Sequence, residues 1–263
     1  MTEANIKKAL STVQEPDLGK DIVTLNMVKD ISITGNEVEF TVVLTTPACP
    51  LKDMIKSACV KAIHTLVNED AVVKLRFTAN TSSNRKDGKA LLPGVKNIIA
   101  VVSGKGGVGK STIAANLALA LARGGASVGL MDADIYGPSV PIMFGVRGQR
   151  PMMTAGDGGK GMIVPLEKYG IKLMSIGLLV DEKNAVVWRG PMASSAIRQF
   201  VTDVLWDELD YLVIDMPPGT GDIHLTLMQA VPVTGVVVVT TPQDVALADA
   251  KKGIAMFGQA QIN

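Results

Sequence analysis

The 263-residue chain is poor in cysteine, in net charge and in long apolar runs, and each shortage narrows what it can be. Only Cys49 and Cys59 occur and no C-x-x-C pair exists, so the two are read as free thiols of a reducing compartment. A formal net charge of +1 gives no general argument for nucleic acid and leaves only a local basic patch. The opening stretch, Met1-Thr-Glu-Ala-Asn-Ile-Lys-Lys, lacks the apolar core of a signal peptide. The longest apolar run, around Gly235 to Val239, follows Pro232 and Thr234 and falls far short of the ~20 residues of a membrane span. A cytoplasmic protein with no membrane or nucleic-acid partner is expected. What the chain does have is 47% hydrophobic and 19% charged residues, the balance of a globular protein of one large or two modest domains.

The most informative stretch runs from Asn97 to Arg123. A strand (Asn97 to Ser103) leads into a glycine-rich turn (Gly104-Lys-Gly-Gly-Val-Gly109), and Lys110-Ser111-Thr112 opens a helix. The spacing is the phosphate-cradling pattern G-x-x-x-x-G-K-[ST]. Gly104, Gly106, Gly107 and Gly109 lack Cβ atoms, so backbone N–H groups on either side of Val108 can converge on one anion. The helix adds the positive end of its dipole, Lys110 a charge for the β and γ phosphates, and Ser111 a hydroxyl for Mg²⁺. Beyond the turn, Ala114, Leu117, Ala118 and Leu121 recur at helical spacing. The bland alternative, a glycine-rich turn that happens to carry a lysine, does not account for the strand before it and the helix after it.

Residues 1–79 read as a small α-β-β-α-β unit. Ile6, Ala9, Leu10 and Val13 give a first helix, Glu15-Pro-Asp-Leu-Gly19 a turn, and the alternation on either side of Gly35-Asn36 a hairpin. Met54, Ile55, Ala58, Cys59, Ala62, Ile63 and Leu66 form the apolar stripe of a second helix, and Val72 to Phe77 is a strand. Cys59 on that stripe reads as a small buried hydrophobe. Cys49, between Pro47 and Pro50 at the helix start, is either an ordinary loop cysteine or an activated thiol. Residues 80–94 are polar, charged and aperiodic, hence a linker, and the second domain, 95–263, begins near Val95.

In that domain a second strand ends in Asp132-Ala-Asp134. Carboxylates at the carboxyl end of a parallel strand overlook the ligand crevice of a doubly wound sheet. Spaced i and i+2, Asp132 and Asp134 can point together toward Mg²⁺ or an attacking water; the alternative is a pair of solvated loop acids. Residues 145–161 read as a mobile Gly- and Arg-rich surface insertion, followed by strands near 162–165 and 171–176. A helix runs on to Trp206, and Tyr211 to Asp215 is a buried strand whose terminal acid orients Mg²⁺ through water. Gly219 and Gly221 after it allow movement with the γ phosphate. A strand from Gly235 to Thr240 and a helix from Asp244 to Phe257 complete the series. The fold class is α/β, a doubly wound, mostly parallel sheet of a P-loop NTPase. Such domains have further strand and helix units, so truncation at the C-terminus is expected.

Gly104-Lys-Gly-Gly-Val-Gly-Lys-Ser-Thr112 resembles the deviant phosphate loop of the group containing the nitrogenase iron protein and the cell-division and partition ATPases, marked by the extra Lys105. Asp132-Ala-Asp-Ile-Tyr-Gly-Pro-Ser139, Trp188-Arg-Gly-Pro-Met192 and Asp215-Met-Pro-Pro-Gly-Thr-Gly-Asp222 look like the Mrp family of iron–sulfur cluster carrier ATPases. Glu15-Pro-Asp-Leu-Gly19 and Thr46-Pro-Ala-Cys-Pro50 are similar to the small iron–sulfur assembly domain.

The resemblance implies a homodimer that binds ATP and Mg²⁺ and passes iron–sulfur clusters from a donor to recipient apoproteins. It implies that Lys105 reaches into the partner's site, that Lys110, Ser111 and Thr112 bind phosphate and metal, and that Asp134 activates water. Asp215 would sense the metal, Pro242 with Thr241 and Gln243 would line the base pocket, and Cys49 would serve cluster assembly. The family's C-x-x-C pair and adenine-reading asparagine have no counterpart here. Two rival functions are a partition-type ATPase acting on DNA or membrane, and a nucleotide-dependent binding module with little hydrolysis.

Overall fold

The computed structural model describes residues 1–80, 92–155, 161–180, 190–219, 221, 224, 227 and 231–259. The chain divides into two compact units, Met1–Ser82 and Ser83–Asn263. Of the predicted linker, residues 81–91 lie outside the described residues, as do Trp188, Arg189, Thr220 and Asp222 of the quoted motifs.

In the first unit, helix α1 (Glu3–Leu10) starts where the Thr2 hydroxyl accepts a hydrogen bond from the Asn5 N–H, and it buries Ile6, Ala9 and Leu10. The turn at Glu15–Gly19 carries two-residue strands, β1 (Gln14–Glu15) and β2 (Lys20–Asp21), paired across it. Strand β3 (Val28–Thr34) pairs antiparallel with β4 (Glu37–Leu44) through Gly35, whose φ of +59° suits a residue without Cβ. Strand β5 (Val72–Ala79) adds parallel to β4. A parallel partner requires a crossover, which helix α2 (Lys52–Leu66) supplies. Its buried stripe, Ile55, Cys59, Ala62 and Ile63, is narrower than the alternation implied, because Met54 and Leu66 are exposed.

The second unit is built on one sheet. Strands β6 (Val95–Val102) and β7 (Val128–Asp132) flank helix α3 (Lys110–Arg123) in sequence. A single helical turn, α4 (Val140–Met143), leads to a hairpin of β8 (Met152–Ala155) and β9 (Gly161–Val164). Strands β10 (Leu166–Lys168) and β11 (Ile171–Ser175), helix α5 (Gly190–Thr202), β12 (Leu209–Asp215), β13 (Gly235–Val238) and α6 (Asp244–Gln259) follow. The sheet order is β10-β11-β7-β12-β6-β13, parallel throughout except for the antiparallel edge strand β10.

Strands covered on both faces need unbroken apolar sequence, and β7 is buried at all five positions. Alternate residues Ile98, Ala100 and Val102 join Leu212, Ile214 and the α5 residues Ala193, Ile197 and Phe200 in one cluster. Helix α3, whose buried Ala114, Ala115 and Ala118 stand outside that cluster, lies against β6, β7 and β12. Helices therefore cover both faces, as a doubly wound sheet requires.

One expectation needs an addition and another a correction. Residues Met152–Ala155 of the 145–161 segment lie exposed at the surface as expected, and they form a strand in register with Gly161–Val164; residues 156–160 lie outside the described residues. Helix α5 stops at Thr202, and Trp206 stands beyond it, fully buried, its indole N–H donating to the Phe200 carbonyl at 2.9 Å.

Candidate functional site

The carboxyl ends of β6, β7 and β12 meet at one edge of the sheet, with Val101 beside Asp215 and Asp215 beside Asp132 in register. Parallel strands place their C-terminal loops on the same side, so the three sequence motifs converge by topology alone. Backbone hydrogen bonds tie them together: Ala133 N–H to the Asp215 carbonyl at 2.8 Å, Met216 N–H to Val101 at 3.0 Å, and Gly219 N–H to Ser103 at 2.8 Å.

The phosphate loop between β6 and α3 has its glycines where backbone conformation demands them. Gly107 and Gly109 take φ of +80° and +93°, and Gly109 is the N-cap of α3. Gly104 is constrained instead by space, since a Cβ there would fall 2.5 Å from the Asp249 carbonyl carbon and 2.8 Å from the Ala250 nitrogen of α6. Gly104→Ala is expected to push the loop off α6, costing about 1–3 kcal/mol of stability and at least about tenfold in nucleotide affinity. Thermal unfolding and calorimetric titration with ADP check both.

A cleft of about 290 Å³ opens over this loop, lined by Ser103, Gly106, Gly107, Gly109, Lys110, Ser111, Thr112, Asp134, Ser139, Met143 and Pro218. Lys110 is its electrostatic centre. The side chain is 7% exposed; its ammonium bonds the Asp215 carboxylate, lies 3.7 Å from Asp134 and 3.2 Å from the Ser111 hydroxyl. Asp215 is fully buried, and burial raises its pKa against the lowering influence of Lys110. Its Oδ2 has no hydrogen-bond partner among the described residues. A buried, unspent carboxylate oxygen near a serine hydroxyl and a second carboxylate is a donor set that fits Mg²⁺ and its waters.

Asp132 and Asp134 do not act as a pair facing one ligand. Asp132 is the last residue of β7 and fully buried, and its carboxylate accepts from Asp134 N–H (3.1 Å), Val140 N–H (3.2 Å) and the Ser175 hydroxyl (3.0 Å). Burial, with the Asp215 charge, pushes its pKa up to about 7 despite these three donors. The chain leaves the strand after Asp132, so alternation ends and only Asp134 lines the cleft. Asp132 orients that loop from behind.

Lys105 and Thr112 are exposed, and Val108 is half-buried. Pro242 and Gln243 are exposed, Thr241 is half-buried, and none of the three lines the cleft. Cys49 is half-buried, packed against the core of the first unit and three residues before α2 rather than at its first turn. Cys59 is buried, and desolvation pushes its thiol up to about 12. Among the described residues no cluster of three or more His, Cys, Asp or Glu side chains could hold a metal ion. Ser103 and Ser139 entered the sequence reading only as the ends of a strand and of a family string, and His224 not at all, because a single hydroxyl or imidazole carries no spacing pattern of its own. His224 is 1% exposed, and burial lowers its pKa; its ring meets Phe257 of α6 with centroids 6.5 Å apart.

Residues 94–263 match the ParA family described as NUBPL iron-transfer P-loop NTPase. The chain belongs to that family. Residues 3–75 match a second family, described as iron-sulfur cluster assembly protein. A curated relative from Synechocystis sp., named iron-sulfur cluster carrier protein, is 49% identical over all of this chain and 74% of its own length. The relative of the same name from Escherichia coli is 47% identical over 98% of this chain and 69% of its own. Among solved structures, a nucleotide-binding protein from Archaeoglobus fulgidus in complex with ADP is 42% identical, with a TM-score of 0.54. That match covers 64% of each chain. The P-loop NTPase architecture is therefore common to this chain and its family. Among the described residues no helix is long and apolar enough to cross a membrane.

Proposed function

We propose that this chain binds and hydrolyses ATP as a cytoplasmic homodimer and uses the cycle to carry iron–sulfur clusters from a donor to recipient apoproteins. The carrier names of relatives near half identity support the cargo. The observation that carries the chemistry is the buried Lys110 ammonium held between Asp215 and Asp134 beneath the glycine loop. That charge is stored where the β and γ phosphates would lie, and nucleotide binding would transfer it from the carboxylates to the phosphates.

In this reading the backbone from Gly104 to Thr112 cradles the phosphates. The Ser111 hydroxyl with Asp215 and Asp134 would hold Mg²⁺, which would supply positive charge to offset that of the phosphates. Asp134 orients the attacking water, Asp132 fixes the loop that carries Asp134, and Pro242 borders the base. Lys105 of one copy would complete the site of the other, where it offsets charge developing on the phosphoryl oxygens. Cys49 would be a cluster-related thiol of the first unit.

The test has two arms. Phosphate release from ATP is expected to stop on chelation of Mg²⁺, and unchanged release in excess chelator would sink the metal assignment. Anaerobic reconstitution with iron and sulfide is expected to leave iron on the wild type and less on Cys49→Ser; equal iron on both would remove Cys49 from the cargo site.

A further inference from the structure

We propose that the Ser139 hydroxyl donates a hydrogen bond to the terminal phosphate of a bound nucleoside triphosphate and so helps the site distinguish triphosphate from diphosphate. The inference rests on the nucleotide reading above and assigns a contact that the phosphate-loop motifs do not include.

Ser139 lines the same cleft as Lys110, Ser111 and Asp134. Its Oγ is buried and has no hydrogen-bond partner among the described residues. An unpartnered buried hydroxyl costs about 1–3 kcal/mol, so a residue in that state has reason to meet an acceptor in another. The local geometry removes the ordinary explanation for a serine at this position. Ser139 is the N-cap of α4, a place where serine usually bonds a backbone N–H, yet its side chain makes no such bond. Position N2 is Pro141, which has no N–H to offer it, and the Val140 N–H donates to Asp132 Oδ2, 3.2 Å away. That carboxylate is itself fixed by Ser175 on β11 and by the Asp134 N–H. The backbone at 139–140 is thus anchored from behind while the hydroxyl stays unspent.

A second hydroxyl in the cleft behaves alike. Ser103, 2% exposed, also has an Oγ without a partner among the described residues. Two unspent donors beside a buried ammonium suit an anionic group with several acceptor oxygens, such as a phosphate, better than a neutral ribose or base edge. Lys110 and Ser111, at the start of α3, mark the phosphate end of the cleft, and Asp134 on the same loop as Ser139 faces it. The diphosphate is held by the glycine loop itself, so the contact from Ser139 falls to the third phosphate.

Calorimetric titration of the full chain with ADP and with a non-hydrolysable ATP analogue, in Mg²⁺, tests this. Ser139→Ala is expected to lose about tenfold in affinity for the analogue while ADP affinity stays within about twofold. Ser139→Thr, which keeps the hydroxyl, is expected to restore the preference, and its titration shows that the loop tolerates change. An alanine variant that keeps the wild-type ratio of affinities, or that loses both equally, overturns the proposal while leaving the nucleotide site intact. A wild type that binds neither ligand overturns the site reading and this contact together.

Discussion

Lys110→Met is expected to abolish phosphate release from ATP and, less obviously, to destabilise the nucleotide-free protein. Turnover should fall by about a hundredfold or more, the scale of removing one preorganised charge from a phosphoryl-transfer site. The stability effect follows from burial. Lys110 is 7% exposed and Asp215 fully buried, so removing the ammonium leaves a carboxylate with neither water nor counter-charge. Breaking a buried pair from one side costs about 3–5 kcal/mol. The loss should depend on pH in a defined direction. Burial already raises the Asp215 pKa and Lys110 opposes that rise, so without Lys110 the folded-state value climbs further above the unfolded one. A raised carboxylate favours the folded state at low pH and loses that advantage as pH increases through its folded-state pKa. The variant should therefore recover stability on acidification. Lys110→Met with Asp215→Asn should recover it at neutral pH while remaining inactive. Urea unfolding across pH, beside a phosphate-release assay, checks both halves; a single variant as stable as the wild type at neutral pH would refute the ion-pair account.

Lys105→Ala should have the opposite profile, with turnover lost and the fold untouched. The side chain is exposed, and no ion pair or hydrogen bond holds it among the described residues. Exposed substitutions of that kind stay within about 0.5 kcal/mol. ADP affinity should likewise be near wild type, since the glycine loop keeps its conformation. If Lys105 acts across a dimer, mixing two inactive variants should restore activity. A Lys105→Ala subunit retains its own phosphate site, and a subunit with Lys110→Met and Asp215→Asn, inactive but expected to be stable, can still lend Lys105 to it. A mixture that stays as inactive as its components would place Lys105 in its own site or outside the chemistry.

The phosphate loop and the strands that deliver it were legible because their constraints are local. Positive φ at Gly107 and Gly109, an apolar run before them and helical periodicity after them each leave a mark in the sequence. Cys59 was legible for the same reason, as one position of a periodic stripe. The division of labour between Asp132 and Asp134 was not. Spacing of i and i+2 implies a shared face only while the chain remains extended, and β7 ends at Asp132. Which carboxylate turns inward depends on Ser175, forty-three residues later in sequence and paired to Asp132 only through the parallel register of β11 and β7. The β8–β9 hairpin was obscured by the glycines and arginine around it, which mimic loop composition. Ser139 and His224 gain their meaning from burial without a partner, a property that exists only once the chain is folded.

Helix α6 is pressed so closely on the phosphate loop that Gly104 has no room for a methyl group against Asp249, and two turns further along it carries Phe257 to the ring of His224. One rigid rod therefore rests at one point on the loop that grips phosphate and at another on the segment that follows the Asp215 strand. The phosphate loop and His224, far apart in sequence, thus share one support in α6.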